Sequence, residues 1–145
     1  MRVMCDTNVL VRAALTPAGA AAELLRQLSA EHLLVTSGYQ LVELLEVLRR
    51  PAIRAIHGLA DRRIRRFIAR LYKLAVVVPL PKDIPRIVLG DPKDNPIVMT
   101  AVLGKADVLC TLDRHLHQPG VIGFCTENGV RVLRDSTLLA ELRTG

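Results

Sequence analysis

The sequence is poor in aromatic residues: it has no tryptophan, two tyrosines and two phenylalanines, which together make 3% of the chain. Half of the residues are nevertheless hydrophobic. The core must therefore be built from aliphatic leucine, valine, isoleucine and alanine side chains. A chain of 145 residues is long enough to bury one core of ordinary size. We expect a single domain over residues 1–145.

Cysteines are also few, and their number and spacing exclude a disulfide framework. There are three of them, an odd number, and none forms a closely spaced pair. Cys5 and Cys110 lie in apolar, strand-like runs. In such runs a cysteine usually behaves as a small buried hydrophobic residue, and we predict that role for both.

Long uncharged runs are missing as well. The longest, such as residues 13–22 and 95–104, reach about half of the roughly 20 residues that a membrane-spanning helix needs. Arg12 interrupts the first apolar segment, which argues against a secretory signal. These features predict a soluble, cytoplasmic protein with no membrane partner.

Acidic residues are scarce in one part of the chain. Residues 49–73 contain nine basic residues and a single acid, Asp61, and so carry a net charge of +8, whereas the whole chain carries +6. All of the basic excess therefore lies in residues 49–73, which we call the basic window. Such a concentration is typical of a surface that meets phosphates or an acidic partner.

The apolar patterns that are present alternate between strand and helix. They predict strands at residues 3–6, 33–36, 76–80, 108–111 and 130–133, and helices at 20–29, 37–50, 52–59, 62–75, 95–104, 121–128 and 136–143. A hairpin turn at residues 128–129 is the alternative to the helix at 121–128. Asp61 and Asp94 are predicted helix N-caps, and Ser37 with Gln40 forms a capping-box pattern. This alternation predicts an α/β protein, a three-layer α/β/α sandwich around a mostly parallel central sheet.

Four acidic residues stand where predicted elements begin or end: Asp6, Glu43, Asp94 and Asp113. Asp6 and Asp113 follow strands, whereas the other two lie near helix N-termini, so we expect all four to converge at one end of the sheet. Clustered carboxylates raise each other's pKa unless cations neutralise them. Because oxygen ligands select hard ions, the expected cofactor is Mg²⁺ or Mn²⁺.

Polar neighbours of these acids are candidates for holding the carboxylates or a reacting water in place. They are Thr7, Asn8, Asn95 and Thr111. The two-residue period of a strand predicts that Asn8 faces the same side as Asp6. One or two cations in such a site would activate a water molecule and stabilise charge on a phosphate, as in two-metal nucleases and phosphatases.

Four motifs occur in order along the chain: CDTNVLV at residues 5–11, S-x5-E-L-x2-V-L-x-R-P at 37–51, DPKDNPIV at 91–98 and ADVLCTLD at 106–113. Together they resemble the PIN-domain family, and within it the VapC-related toxin components of toxin–antitoxin systems. The resemblance implies a parallel-sheet α/β/α fold, a Mg²⁺- or Mn²⁺-dependent endoribonuclease and inhibition by a cognate antitoxin. A homodimer is a further expectation from the family.

The resemblance assigns the acidic roles to Asp6, Glu43, Asp94 and Asp113, and its E-L-x2-V-L pattern selects Glu43 over Glu46. Asp107 is expected either to reach the metal site or to cap a turn, and Asp91 is expected to be a turn residue of DPKD. His115 and His117 make a poor zinc site without a further nitrogen or sulfur ligand. We interpret them as a surface pair that could contact phosphate, and residues 115–129 have no assigned role.

The leading hypothesis is an endoribonuclease in which the four acids hold the metal and the basic window holds the RNA backbone. The candidate RNA-binding residues are Arg49, Arg50, Arg62, Arg63 and Arg66. One alternative is a haloacid-dehalogenase-like phosphatase with Asp6 as nucleophile, although the second aspartate of that motif is replaced by Asn8. Another alternative is a non-catalytic RNA-binding module.

Overall fold

A computed structural model describes residues 1–88 and 91–145, and these form one five-stranded sheet in which all neighbouring strands are parallel. The strands are β1 (Arg2–Cys5), β2 (Leu33–Ser37), β3 (Ala75–Val78), β4 (Val108–Cys110) and β5 (Arg131–Leu133). Their spatial order is β3-β2-β1-β4-β5, with β1 in the centre. The predicted parallel α/β architecture is confirmed.

Helices connect the strands and cover both faces of the sheet. They are α1 (Thr7–Leu15), α2 (Ala20–Glu31), α3 (Gly38–Arg49), α4 (Pro51–His57), α5 (Asp61–Leu74), α6 (Asn95–Leu103), α7 (Pro119–Glu127) and α8 (Asp135–Thr144). Two 3₁₀ turns, Pro92–Asp94 and Arg114–His117, flank α6 and β4. No helix among the described residues has the length and apolarity needed to cross a membrane.

Helix α1 is absent from the sequence-based prediction. Its residues Val9 and Val11 are β-branched, and such residues favour strands over helices in the local sequence. Because the helix begins at Thr7, Asn8 lies in its first turn and is exposed. The expectation that Asn8 shares a strand face with Asp6 is therefore wrong.

The sheet separates two aliphatic cores, one on each face, and side chains of the central strand β1 enter both. Val3 and Cys5 face one core, where they pack with helices that include α1, α2, α3 and α8. Met4 points to the opposite face and packs with residues of α6 and α7. This alternation follows from the two-residue period of a strand and produces the three layers. Cys5, Cys110 and Cys125 are buried free thiols, as predicted for Cys5 and Cys110.

Candidate active site

Asp6 follows β1 at the carboxyl edge of the sheet, and only 3% of its surface is exposed. Its Oδ1 accepts a hydrogen bond from the backbone N–H of Thr7 (2.7 Å), and its Oδ2 accepts one from the Thr111 hydroxyl (2.8 Å). Burial raises the pKa of Asp6 to about 6 despite these bonds, and the charges of Asp113 and Glu43 add to the increase. The folded protein therefore disfavours the ionised form of this carboxyl group.

Thr111 connects the acids of two neighbouring strands. While its hydroxyl donates to Asp6, its oxygen accepts a hydrogen bond from the backbone N–H of Asp113 (3.0 Å). The Thr111 carbonyl in turn accepts a hydrogen bond from Nε2 of His117 (2.8 Å). The fully buried Thr111 side chain thus holds Asp6 and the segment that carries Asp113 in a fixed relation.

Asp94 ends a 3₁₀ turn immediately before α6, at the predicted N-cap position. Its side chain forms no capping hydrogen bond, and its Oδ2 is buried without a hydrogen-bond partner among the described residues. The prediction that this side chain caps the helix is therefore wrong. Burial raises the pKa of Asp94 to about 8, with further increases from the charges of Asp6, Asp113 and Asp91.

Glu43 lies half-buried in the first half of α3. Its charge contributes to the raised pKa of Asp6 and to that of Tyr39, whose pKa is raised first by burial. The Tyr39 hydroxyl donates a hydrogen bond to the backbone carbonyl of Lys93 (3.2 Å), beside Asp94. The charges of Glu43 and Asp113 therefore reach Asp6, and those of Asp6 and Asp113 reach Asp94. We call Asp6, Glu43, Asp94 and Asp113 the carboxylate cluster.

Gln40 is a buried residue at the carboxyl edge of the sheet, where the sequence pattern predicts only a helix cap. The predicted cap forms, since the Ser37 hydroxyl accepts a hydrogen bond from the Gln40 backbone N–H (3.3 Å). The Gln40 side chain instead points inward, where Nε2 donates to the Cys5 carbonyl (2.5 Å) and Oε1 accepts from the Thr36 hydroxyl (2.6 Å). These two hydrogen bonds link α3, one turn before Glu43, to β2 and to β1, the strand that Asp6 follows.

A second group of ligand atoms adjoins the carboxylate cluster. Asp91, Asp94 and His115 each offer one ligand atom, and the three atoms lie within 4.8 Å of one another. His115 Nδ1 also lies 3.5 Å from Oδ1 of Asp113. The interpretation of His115 as one half of a surface pair is therefore corrected, because its 3₁₀ turn brings the imidazole to the acids. We call these three residues the aspartate–histidine group.

Two predicted neighbours of the acids have other contacts. Asp107 precedes β4 at the opposite edge of the sheet, where its Oδ2 accepts a hydrogen bond from the Arg2 backbone N–H (2.7 Å). Four residues of strand, about 13 Å, separate Arg2 from Asp6, so Asp107 does not reach the site. The Asn95 side-chain oxygen accepts hydrogen bonds from the backbone N–H groups of Ile87 and Val88 (2.9 and 2.7 Å) and so fastens that segment to α6.

Thr7 contributes through its backbone, which donates the hydrogen bond to Asp6 described above. Its side-chain Oγ1 is buried and has no hydrogen-bond partner among residues 1–88 and 91–145. Of the predicted neighbours, Thr111 and Thr7 therefore contact Asp6 directly, whereas Asn8 is exposed in α1.

Comparison with known proteins identifies this arrangement of strands and acids. The sequence of residues 2–115 matches the PIN domain. The chain belongs to the PIN-domain family. The match covers all four motifs and ends at His115, within the turn that follows Asp113. No curated protein sequence matches the chain.

Solved structures similar to this PIN domain include two VapBC structures and FitAcB. VapBC2 from Rickettsia felis bound to a DNA fragment from its promoter gives a TM-score of 0.60 at 13% identity over 92% of this chain and 98% of the other. VapBC-1 from nontypeable Haemophilus influenzae gives 0.57 at 20% identity over 94% and 99%. FitAcB from Neisseria gonorrhoeae gives 0.58 at 17% identity over 92% and 98%. At these identities the likeness shows a shared fold.

The residues at the carboxyl edge of this PIN domain fit a divalent cation. They offer carboxylate oxygens, the ligands that hard cations prefer, and Asp94 presents an oxygen that no other described group uses. Burial raises the pKa values of Asp6 and Asp94 first, and the charges of the neighbouring acids add to the increase. A bound cation would remove the repulsion among these acids.

The basic window forms a second feature, centred on α5. Asp61 does not cap this helix; its carboxylate lies 2.7 Å from a guanidinium nitrogen of Arg49 and 2.7 Å from one of Arg54, and 3.8 Å from one of Arg65. The predicted capping role of Asp61 is therefore wrong. Arg50, Arg62, Arg63 and Arg66 are exposed and form no salt bridge within the described part of the chain. These four remain able to bind a phosphate without first leaving an acidic partner.

Proposed function

We propose that this PIN domain is a metal-dependent endoribonuclease and the toxin of a toxin–antitoxin pair. The observation that carries the proposal is the carboxylate cluster at the carboxyl edge of the sheet. Burial and mutual repulsion raise the pKa of Asp6 to about 6 and that of Asp94 to about 8. Buried carboxylates with raised pKa values are typical of functional sites, and a bound cation would stabilise their ionised form.

Asp6, Glu43, Asp94 and Asp113 would hold the cation, either Mg²⁺ or Mn²⁺. When bound, it would activate a water molecule and stabilise negative charge on the phosphate that is cleaved. The protein's own residues keep the ligands in place. The Thr7 N–H and the Thr111 hydroxyl fix both oxygens of Asp6, and Thr111 also orients the backbone of Asp113.

The RNA backbone would be bound by the exposed arginines of α5 and the preceding helices. Arg50, Arg62, Arg63 and Arg66 are available for phosphates, whereas Arg49 is engaged with Asp61 and would contribute less. Arg49 lies six residues after Glu43 on α3, a rise of about 9 Å along the helix. The basic window thus begins on the same helix that carries one of the acids.

An antitoxin partner is supported by the fold shared with VapBC proteins. In this proposal a second protein binds the PIN domain and suppresses its cleavage of RNA. A homodimer remains a prediction from the family. Expression of the chain alone should arrest growth of a bacterial host, and the variant Asp6→Ala should not. Normal growth under equal expression of the active protein would contradict the toxin role.

The direct test is cleavage of a pool of structured and single-stranded RNAs by purified protein with Mn²⁺, Mg²⁺ or EDTA. Asp94→Asn should abolish cleavage because it removes a ligand charge. Asp83→Asn, at an exposed position outside the cluster, is the matched control and should cleave like the unmodified protein. Full metal-dependent cleavage by Asp94→Asn would refute the proposed role of the cluster.

The same assay separates the alternatives. RNA binding that persists in EDTA, without cleavage under any condition, would favour a non-catalytic RNA-binding module. The phosphatase alternative lacks support, because Asn8 stands where that motif has its second aspartate and is exposed in α1, and because the chain belongs to the PIN-domain family. Phosphate trapped covalently on Asp6 would restore that alternative.

A further inference from the structure

His115 supplies a nitrogen donor at a site where the sequence predicts oxygen donors alone. Its 3₁₀ turn, Arg114–His117, begins directly after Asp113, whose Oδ1 accepts a hydrogen bond from the His115 backbone N–H (2.9 Å). On the other side, Asp91 is fixed by the Lys93 backbone N–H, which donates to its Oδ1 (3.0 Å). Two short turns therefore fix the backbone of Asp91 and of His115, and both side chains lie near Asp94.

We propose that Asp91, Asp94 and His115 form a cation site in which the imidazole nitrogen is a direct ligand, and that this nitrogen makes the site prefer Mn²⁺ to Mg²⁺. The inference rests on the proposed function, since Asp94 belongs both to the carboxylate cluster and to this group, and Asp91 and His115 would add ligands to the cation that Asp94 holds. It adds a ligand type that the carboxylate cluster lacks.

The spacing of the group suits one cation. Metal–ligand distances of about 2.0–2.2 Å place two ligands on opposite sides of an ion up to about 4.4 Å apart. The three ligand atoms lie within 4.8 Å of one another. Small side-chain rotations would therefore bring all three into the coordination shell of one ion.

Asp94 supplies an independent reason to expect a ligand here. Its Oδ2 is buried and has no hydrogen-bond partner in the described part of the chain. A buried polar oxygen without a partner is costly in free energy. A cation between Asp94 and its neighbours would provide the missing partner.

The preference for Mn²⁺ follows from donor chemistry. Carboxylates bind both Mg²⁺ and Mn²⁺, whereas imidazole nitrogens suit first-row transition metals better than the harder Mg²⁺. The competing interpretation is that His115 only forms an ion pair with Asp113, 3.5 Å away. In that case the imidazole would not enter the coordination shell.

The test uses the full chain freed of metal by dialysis against a chelator. Titration with Mn²⁺, followed by the electron paramagnetic resonance signal of the free ion, gives the Mn²⁺ dissociation constant, and competition gives that of Mg²⁺. The variants are His115→Ala and His115→Asp. His32→Ala is the matched control, because His32 lies next to the N-terminal amino group, away from the acids.

We expect His115→Ala to weaken Mn²⁺ binding by about tenfold or more, with a smaller effect on Mg²⁺. His115→Asp should reduce the preference for Mn²⁺ while keeping Mg²⁺ binding. In the unmodified protein, electron spin echo spectra of bound Mn²⁺ should contain the modulation of a directly bound nitrogen, which His115→Ala removes. His32→Ala should match the unmodified protein.

Absence of the nitrogen modulation from the unmodified protein, or an unchanged ratio of the two dissociation constants in His115→Ala, would overturn this inference. Neither measurement uses RNA. A nitrogen signal without RNA cleavage would leave the metal site standing and refute the nuclease. Cleavage of RNA without a nitrogen signal would support the nuclease and refute His115 as a metal ligand.

Discussion

Replacing Asp94 by asparagine should stabilise the metal-free protein at neutral and alkaline pH. The substitution removes a charge whose pKa is raised from 3.8 to about 8 by burial and by the charges of Asp6, Asp113 and Asp91. It keeps the shape of the side chain, and it sacrifices no capping hydrogen bond because Asp94 forms none. The stabilising variant is thus also the one expected to be inactive.

The magnitude follows from linkage between protonation and folding. A rise of about four pKa units corresponds to at most about 6 kcal/mol, at about 1.4 kcal/mol per unit. Asp94 is only half-buried, so solvent screens part of this energy, and part of the repulsion is shared with Asp6. We expect a net stabilisation of about 1–3 kcal/mol at pH 8.

The stability of the unmodified protein should decrease as the pH rises. Because the pKa of Asp94 is higher in the folded than in the unfolded protein, the folded state holds its proton between about pH 4 and pH 8. The free energy of unfolding of the unmodified protein should therefore fall as the pH rises through this window. The difference between Asp94→Asn and the unmodified protein should be small near pH 4 and largest at pH 8.

The assay is urea unfolding in EDTA at several pH values between 4 and 8, repeated with Mn²⁺. In EDTA at pH 8 the variant should be the more stable protein, while Mn²⁺ should reverse the order because it binds the unmodified folded state more tightly. Asp83→Asn serves as the control and should lack both effects. A variant no more stable than the unmodified protein at pH 8 in EDTA would refute the argument that these carboxylates repel one another.

Three further predictions concern the framework and the basic window. Gln40→Leu should lower the free energy of unfolding by about 2–4 kcal/mol in urea titrations, because the Cys5 carbonyl and the Thr36 hydroxyl lose their partner; a loss below about 0.5 kcal/mol would contradict it. Gly104→Ala should cost about 1–3 kcal/mol and lower the melting temperature, because a Cβ there would clash with side-chain atoms of Val35 and Val78 and with a backbone oxygen. The double variant Arg62→Ala/Arg66→Ala should weaken RNA binding and reduce the salt dependence of the dissociation constant by about 1–2 in log–log slope; equal loss in Arg49→Ala would show that the salt bridge to Asp61 does not matter.

The sheet and the positions of the acids could be predicted because both depend on local patterns. Apolar runs mark the strands, and a polar residue directly after such a run lies at the carboxyl edge of a parallel sheet. Asp6 and the segment that carries Asp113 are found there for this reason. Helix α1 could not be predicted in this way, because its short segment contains the β-branched residues Val9 and Val11, which favour a strand.

The contacts around the acids could not be predicted, because they join residues far apart in the chain. The capping-box pattern correctly predicts the Ser37–Gln40 hydrogen bond, yet nothing local shows that the Gln40 side chain turns inward to Cys5. Asp107 precedes a strand, and only the parallel pairing of β1 with β4 shows that it meets Arg2 at the opposite edge. The direction of the His115 side chain could not be predicted either, because it depends on the 3₁₀ turn that brings the imidazole to the acids.

The two halves of the carboxylate cluster depend on different kinds of support, and this has a consequence for folding. Asp6 is held by hydrogen bonds from Thr7 and from Thr111, and Thr111 directly follows β4, the strand that pairs with β1. Asp94 has no such partner and is brought to Asp6 by the packing of α6 on the sheet. Without a cation, the repulsion between the two acids opposes this packing, whereas the paired strands are unaffected. Cation binding should therefore protect the backbone amides of α6 against hydrogen exchange more than those of β1 and β4.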